Sequence, residues 1–262
     1  MNLKSFFLAG MTLLLSATAL QAQETKTLER YFDPVSSKNL LKVNLLGLPL
    51  RNFNFEYERV LSKRWSFVLG YRFMPNGKLP LGKSIYEQLA DNDPAAYDAL
   101  SALRMSNNAI TPQFRLYTGK KGYGRGFYFS PFYRYATHNL SGFTVDYQNA
   151  AGADAQMAMS GKLTSNTFGL QLGAQWLIGR TVTLDWWILG PHVGSANVSL
   201  TGKTSVPLTT QEQDDLRQSL TDVDIFGGDY TTVSVNASGA SMTVSNAPWA
   251  GFKAGLSLGF RF

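Results

Sequence analysis

The chain has 262 residues, of which 44% are hydrophobic, 13% aromatic and 16% charged, and its formal net charge is +6. Soluble domains are about 25% charged, so this sequence is poor in charge and rich in aromatic rings. It contains no cysteine, which excludes disulfides, thiolate metal sites and a cysteine nucleophile. The two histidines, His138 and His192, offer little for histidine-based chemistry, and we expect no metal and no cofactor.

Residues 1–22 have the order of a secretory signal peptide, with a basic start, an apolar stretch over 6–15 and small residues up to Ala22. The apolar stretch is too short for the roughly 20 residues that a spanning helix needs. We place cleavage after Ala22, with Ala19 as the alternative, so that 23–38 form a short periplasmic segment. An exported protein with a mild, scattered positive charge is not expected to bind nucleic acid.

Apolar and polar residues alternate along eight segments of the remaining chain, which indicates β-strands with two different faces. In the clearest segment, from Ala250 to Phe262, every even-numbered residue is apolar, whereas the odd-numbered residues are glycine, serine, lysine or arginine. Pro112 and Pro131 predict a bulge or a strand limit in the fourth and fifth segments. The predicted strands are 41–45, 52–58, 65–73, 110–116, 127–135, 168–176, 182–188 and 250–262.

Connections after the second, fourth and sixth strands are short, and those after the third, fifth and seventh are long. Alternate connections of an antiparallel meander lie at the same end, so one end carries tight turns and the other carries large loops. The short first connection is the exception. This asymmetry is typical of outer-membrane barrels. The long loops are predicted at 74–109, 136–167 and 189–249.

Several segments inside these loops have structure of their own. Residues 84–89, 95–105 and 207–220 are predicted to be short helices, the last with a capping-box spacing over 210–213. Residues 143–147 and 231–235 again alternate like strands. We expect the sheet to project past the bilayer, where an exposed edge suits strand addition by a foreign protein.

Alternation alone leaves open whether the apolar face points outward to lipid or inward, as in a soluble ligand-binding barrel. A polar face rich in glycine and poor in charge favours lipid, and so do aromatic rings at both ends of the strands, where membrane barrels carry girdles. The predicted girdle is Tyr57, Trp65, Tyr117, Phe127, Trp176, Trp186, Trp249 and Phe260. The predicted fold is all-β, an eight-stranded antiparallel up-and-down transmembrane β-barrel over 39–262 with long extracellular loops.

This strand pattern and the C-terminal segment 255–262 resemble the small eight-stranded outer-membrane barrels of the OmpA and OmpX type. Residues 42–44 and 55–58 are similar to families of uncharacterised Gram-negative outer-membrane barrels. The resemblance implies a place in the cell outer membrane, contact with its lipid, and assembly by the barrel-insertion machinery. A last strand that ends in phenylalanine resembles the signal read by that machinery, here Leu258, Phe260 and Phe262. The fold by itself implies no activity.

The polar face of the predicted barrel carries charges that need partners. An eight-stranded barrel has an interior just wide enough for side chains, and buried charges must be paired or solvated. We therefore expect a polar network that plugs the lumen. Its excess of three positive groups leaves a small anion-preferring pore as an alternative. The predicted network is Lys42, Glu56, Glu58, Arg72, Arg115, Arg134, Asp185, Lys253 and Arg261.

We predict no catalytic residue. His138 precedes Ser141 by three positions, and His192 precedes Ser195 by three, whereas hydrolysis needs a nucleophile and base within hydrogen-bond reach. The lipid A deacylases, which this barrel resembles in size, have histidine and serine two apart on a strand. The predicted function is non-enzymatic, with loops that serve surface interaction, adhesion or envelope structure and bind an extracellular protein or surface ligand. The sequence leaves open a lipid-modifying outer-membrane enzyme and a soluble periplasmic ligand-binding barrel.

Overall fold

Antiparallel strands make up most of this protein. The computed structural model describes residues 37–78, 87–88, 91, 97–98, 101–149, 152–221 and 230–262. The predicted signal peptide and nearly all of the segment 23–38 lie outside these residues. A short 3-10 helix, Leu48–Leu50, follows the first strand, and a helix α1, Thr210–Thr221, follows the seventh. The strands of the described residues are β1 Asn39–Asn44, β2 Phe53–Val60, β3 Trp65–Lys78, β4 Arg104–Tyr117, β5 Gly126–Gln148, β6 Asp154–Ile178, β7 Val182–Thr204, β8 Thr231–Asn236 and β9 Gly239–Arg261.

The sheet closes into a ring because its first strand pairs with its last. Successive strands pair from β1 to β7, β7 then pairs with β9, and β9 pairs with β1 over residues 40–44. Among the described strands, β8 pairs with β9 and no other. The prediction of an all-β antiparallel fold is confirmed. The described chain has nine strands in place of the predicted eight, because β8 forms inside the segment 189–249.

Side chains alternate between an apolar outer face and a polar inner face of the ring. Along β6, Phe168 and Leu170 are 68% and 50% exposed, whereas Thr167 and Gln171 are fully buried. Successive residues of a strand point to opposite faces, so the alternating apolar residues of β6 point outward together. The rings on the outer face include Tyr57, Trp65, Phe127, Trp176, Trp186 and Phe260, and the exposed C-terminal residues include Leu258 and Phe262.

Two residues assigned to the outward girdle require correction. Tyr117 is fully buried, and its hydroxyl donates a hydrogen bond to Oε1 of Glu58 at 2.7 Å. It has the odd-numbered parity of Arg115 on β4, so the strand itself turns the ring inward. Trp249 likewise has the inward parity of Lys253 on β9 and is only partly exposed. An aromatic residue at the end of a strand therefore belongs to a girdle only where its position in the alternation points outward.

Strands continue well beyond the apolar band at the loop end. Apart from one register shift between Leu140 and Phe143, β5 and β6 stay paired until β5 ends at Gln148 and β6 begins at Asp154, so most of the segment 136–167 is strand. Above Phe168 the outward positions of β6 are Asn166, Thr164 and Lys162. Because the outward face is polar there and the inward face is mixed, the apolar–polar alternation disappears, which explains why the predicted strands end too early.

Helical structure is sparse in the described chain and lies at the loop end. Helix α1 falls within the predicted segment 207–220 apart from its last residue, but its capping box lies one residue earlier than predicted. The backbone N–H and the hydroxyl of Thr209 both donate to Oε2 of Glu212 at 2.7 Å. Residues 87–88, 97–98 and 101–102 are helical, whereas 104–105 of the predicted helix belong to β4. None of the helices in the described part of the chain has the length and apolarity to span a bilayer.

Candidate functional site in the polar interior

A network of ion pairs crosses the interior of the ring. Nζ of Lys42 lies 2.6 Å from Oε2 of Glu58 and 2.7 Å from Oδ2 of Asp185. Nη1 of Arg115 lies 2.6 Å from the same oxygen of Asp185, and its Nη2 lies 2.9 Å from Oε2 of Glu56. We call these five residues the plug. Their side chains are no more than 2% exposed, and buried charges of this kind are tolerated only when they pair with one another.

Neutral side chains complete the hydrogen bonds of the plug. Tyr128 donates to Oδ1 of Asp185 at 2.8 Å, and its ring lies 4.3 Å from Cζ of Arg115. These neutral partners were not predicted, although each has the inward parity of its strand. The further partners are Ser66 and Tyr117 on Glu58, Gln113 on Glu56, and Gln175 on Lys42 and Arg115.

Lys253 lies on the loop-end side of the plug. Its Nζ is 3.5 Å from Oε1 of Glu56 and lies 4.3 Å and 5.4 Å from the ring centroids of Trp187 and Phe132. A cation held over aromatic faces is stabilised electrostatically. Trp187 and Phe132 interrupt the alternation of their strands in the sequence, and the cation accounts for their inward position.

Two predicted network residues, Arg72 and Arg134, lie apart from the plug and nearer the loop end. Arg134 is 7% exposed, and Nε of Arg72 is buried without a hydrogen-bond partner among the described residues. No described residue forms an ion pair with either guanidinium, and the two positive charges repel each other. Arg261 lies at the opposite end, where its Nη1 donates to the carbonyl of Tyr123 at 2.9 Å. The ion pairs named above therefore join six of the nine predicted residues, and these three arginines take no part in those pairs.

The histidines lie in the same loop-end half of the interior. Nδ2 of Asn107 is 3.0 Å from Nδ1 of His138. His192 packs edge-on against Phe132 with ring centroids 5.9 Å apart, and its Nδ1 is buried without a hydrogen bond to any described residue. In both histidine–serine spacings of the sequence the serine is an odd number of strand residues away, which directs the two side chains to opposite faces. The strands thus do not bring either serine to its histidine.

Within the described residues, no group of three or more histidine, aspartate or glutamate side chains is placed to hold a metal ion. The interior can instead hold fixed charge, block passage at the level of the plug, and present the cations of Arg72 and Arg134 above it. The chain matches no protein-family model, no curated protein and no solved structure.

Proposed function

We propose that this protein is a non-enzymatic outer-membrane β-barrel with a blocked lumen and that its loop end serves surface interaction or envelope structure. In this proposal eight strands surround the lumen, and β8 is an additional strand on β9. The observation that carries it is the inverted polarity of the ring, with apolar side chains outside and charged side chains inside. A soluble ligand-binding barrel requires the opposite arrangement, because its apolar side chains must leave water.

The size of the apolar outer face supports a membrane location. On β6 the outward side chains are apolar from Phe168 to Ile178, a stretch of 11 residues. A spanning β-strand needs about 9–11 residues, so this face matches the hydrocarbon thickness. Beyond Phe168 the outward positions are polar, which suits water on the far side of the interface. Closure of the sheet also satisfies the requirement that no strand edge face hydrocarbon.

The plug supports the blocked lumen. Its residues come from β1, β2, β4 and β7 and meet near the middle of the ring, where an eight-stranded barrel leaves space only for side chains. This argues against the anion-preferring pore. The opposite orientation of each histidine and its serine argues against the lipid-modifying enzyme. The polar extensions of β5, β6, β7 and β9 support a surface role, because they carry backbone and polar side chains past the apolar band.

The first test is mobility on a denaturing gel, boiled and unboiled, of protein extracted in detergent from outer membranes. We expect the protein in the membrane fraction, with a shift on boiling as the ring unfolds. Protein that is free in the periplasmic fraction and shows no shift would contradict the proposal and favour the soluble barrel.

Two further measurements test the alternative functions, an anion-preferring pore and a lipid-modifying enzyme. In planar bilayers we expect no stable single-channel openings, and such openings would contradict the blocked lumen. His138→Ala and His192→Ala variants are expected to leave the lipid composition of the host membrane unchanged relative to wild type. A loss of lipid modification in either variant would support the enzyme.

A further inference from the structure

The interior above the plug has an unbalanced charge. In the described interior, the three plug carboxylates face three cations, Lys42, Arg115 and Lys253. Arg72 and Arg134 then contribute two positive charges that no described acid balances. Arg134 is buried and Arg72 is half-buried with its Nε shielded from solvent. Like charges withdrawn from water in this way are costly unless a counter-charge is present.

Several polar atoms nearby also lack partners among the described residues. Nε of Arg72, Nδ1 of His192 and Oδ1 of Asn107 are buried without hydrogen bonds. Asn107 contacts His138 and lies two residues from the register partner of Arg72, and His192 packs on Phe132, two residues from Arg134, so these groups share one region. We call Arg72, Asn107, Arg134, His138 and His192 the upper chamber. Unsatisfied buried polar atoms are rare in folded proteins, and several in one region indicate a missing partner.

The residues in register with the arginines on one side have short side chains. Arg72 is in register with Ala109, which in turn pairs with Ala136, and Arg134 is in register with Thr167, which pairs with Gly194. On its other side Arg72 is in register with Asn54. The inward positions at the level of the plug carry larger side chains, among them Tyr117, Tyr128 and Gln175.

We propose that the upper chamber binds one dianionic oxyanion group of the phosphoryl type. Two guanidinium groups provide the matching charge, and their planar forks fit phosphate oxygens with paired hydrogen bonds. The imidazoles and the amide of Asn107 can donate further hydrogen bonds. Free phosphate and a phosphate headgroup share this chemistry. The inference goes beyond the proposed function, because it requires only the closed sheet and its interior and depends on neither a membrane location nor a surface role.

The test is thermal unfolding of the purified, folded protein with inorganic phosphate or with sodium chloride at the same ionic strength. We expect phosphate to raise the midpoint of wild type above the chloride value, because a ligand of the folded state stabilises it. Arg134→Gln should unfold at a higher temperature than wild type without phosphate, since it relieves the repulsion. It should also bind phosphate roughly tenfold more weakly, as expected for one charged hydrogen-bonding partner.

Arg64→Gln is the matched control, because it removes an exposed arginine at the tight-turn end and should leave the phosphate response unchanged. Arg72→Gln provides a second variant with the same expected behaviour as Arg134→Gln. Micelles that contain phosphatidic acid, compared with phosphatidylcholine, distinguish the sources. A response to inorganic phosphate assigns a soluble ligand, and a response to phosphatidic acid alone assigns a headgroup.

Equal midpoints of wild type in phosphate, chloride and both kinds of micelle would overturn the proposal. A lower midpoint of Arg134→Gln and Arg72→Gln without phosphate would also overturn it, because the arginines would then be paired with acidic side chains of the chain itself. Neither outcome bears on the location of the barrel, which the gel-shift experiment tests separately.

Discussion

Nη1 of Arg115 lies 2.6 Å from Oδ2 of Asp185, although the strands that carry them, β4 and β7, do not pair with each other. The contact therefore crosses the interior of the ring. Lys42 on β1 approaches the same oxygen to 2.7 Å. One carboxylate thus joins three strands that are not neighbours of one another, and Asp185 is the centre of the plug.

Replacing this carboxylate should destabilise the ring. Asp185→Asn leaves Lys42 and Arg115 with an uncompensated charge, and breaking a buried ion pair costs about 3–5 kcal/mol. We expect a decrease of that size in the free energy of unfolding, measured by urea titration with tryptophan fluorescence. Asp214→Asn is the control, because its salt bridge with Arg217 is exposed and contributes less than about 1 kcal/mol. Equal effects of the two substitutions would show that the plug stabilises no more than a surface pair.

A positive charge on the outer face should be costly in lipid. Leu172 lies in the middle of the apolar band of β6, is half-buried, and is in register with the exposed Phe129 of β5. In a membrane barrel, Leu172→Arg should lower the free energy of unfolding by about 2–4 kcal/mol, measured in lipid vesicles. Thr164→Arg, at an outward position of the same strand beyond the band, should have little effect. A harmless Leu172→Arg would place this face in water and contradict the membrane proposal.

The packing of the plug should be sensitive to a single methyl group. A Cβ at Gly173 would overlap the phenol of Tyr128 and approach the carbonyl oxygen of Trp186 to 2.8 Å. We expect Gly173→Ala to lower the free energy of unfolding by about 1–3 kcal/mol, because overpacking displaces the phenol of Tyr128, whose hydroxyl donates to Asp185. Gly70→Ala is the matched control, since a Cβ there meets its neighbours at 3.4 Å or more. If the two variants melt at the same temperature, Tyr128 is not held as tightly as its contacts imply.

The capping box of α1 should act locally. Thr209→Ala removes a hydroxyl that hydrogen-bonds to Glu212, and loss of a cap costs about 1 kcal/mol. We expect faster hydrogen exchange in the amides of α1 and unchanged exchange in β9. Ser219→Ala, later in the same helix, should leave the exchange of the first turn as it is. Faster exchange in β9 as well would mean that the helix and the ring unfold together.

The sequence contains enough local information for the strands of the apolar band and for the inward set of charges. Period-two alternation over 250–262 depends only on the geometry of a strand, and β9 contains that segment up to Arg261. The strand extensions were not predictable in the same way, because apolar and polar residues do not alternate along them. Tyr117 lies at the end of β4, where girdle residues are found, but it is two residues from the inward Arg115 and therefore points into the interior.

By itself the sequence determined which side chains share a face, because neighbours along a strand alternate by covalent geometry. Only the tertiary structure decided that β1 pairs with β9, that Glu56 meets Arg115 and Lys253, and that Arg72 and Arg134 stand apart from every described acid. These contacts join residues on strands far apart in the chain, at heights set by the stagger of the pairings around the ring. Stagger is a property of the closed sheet, so no single segment encodes which charges meet.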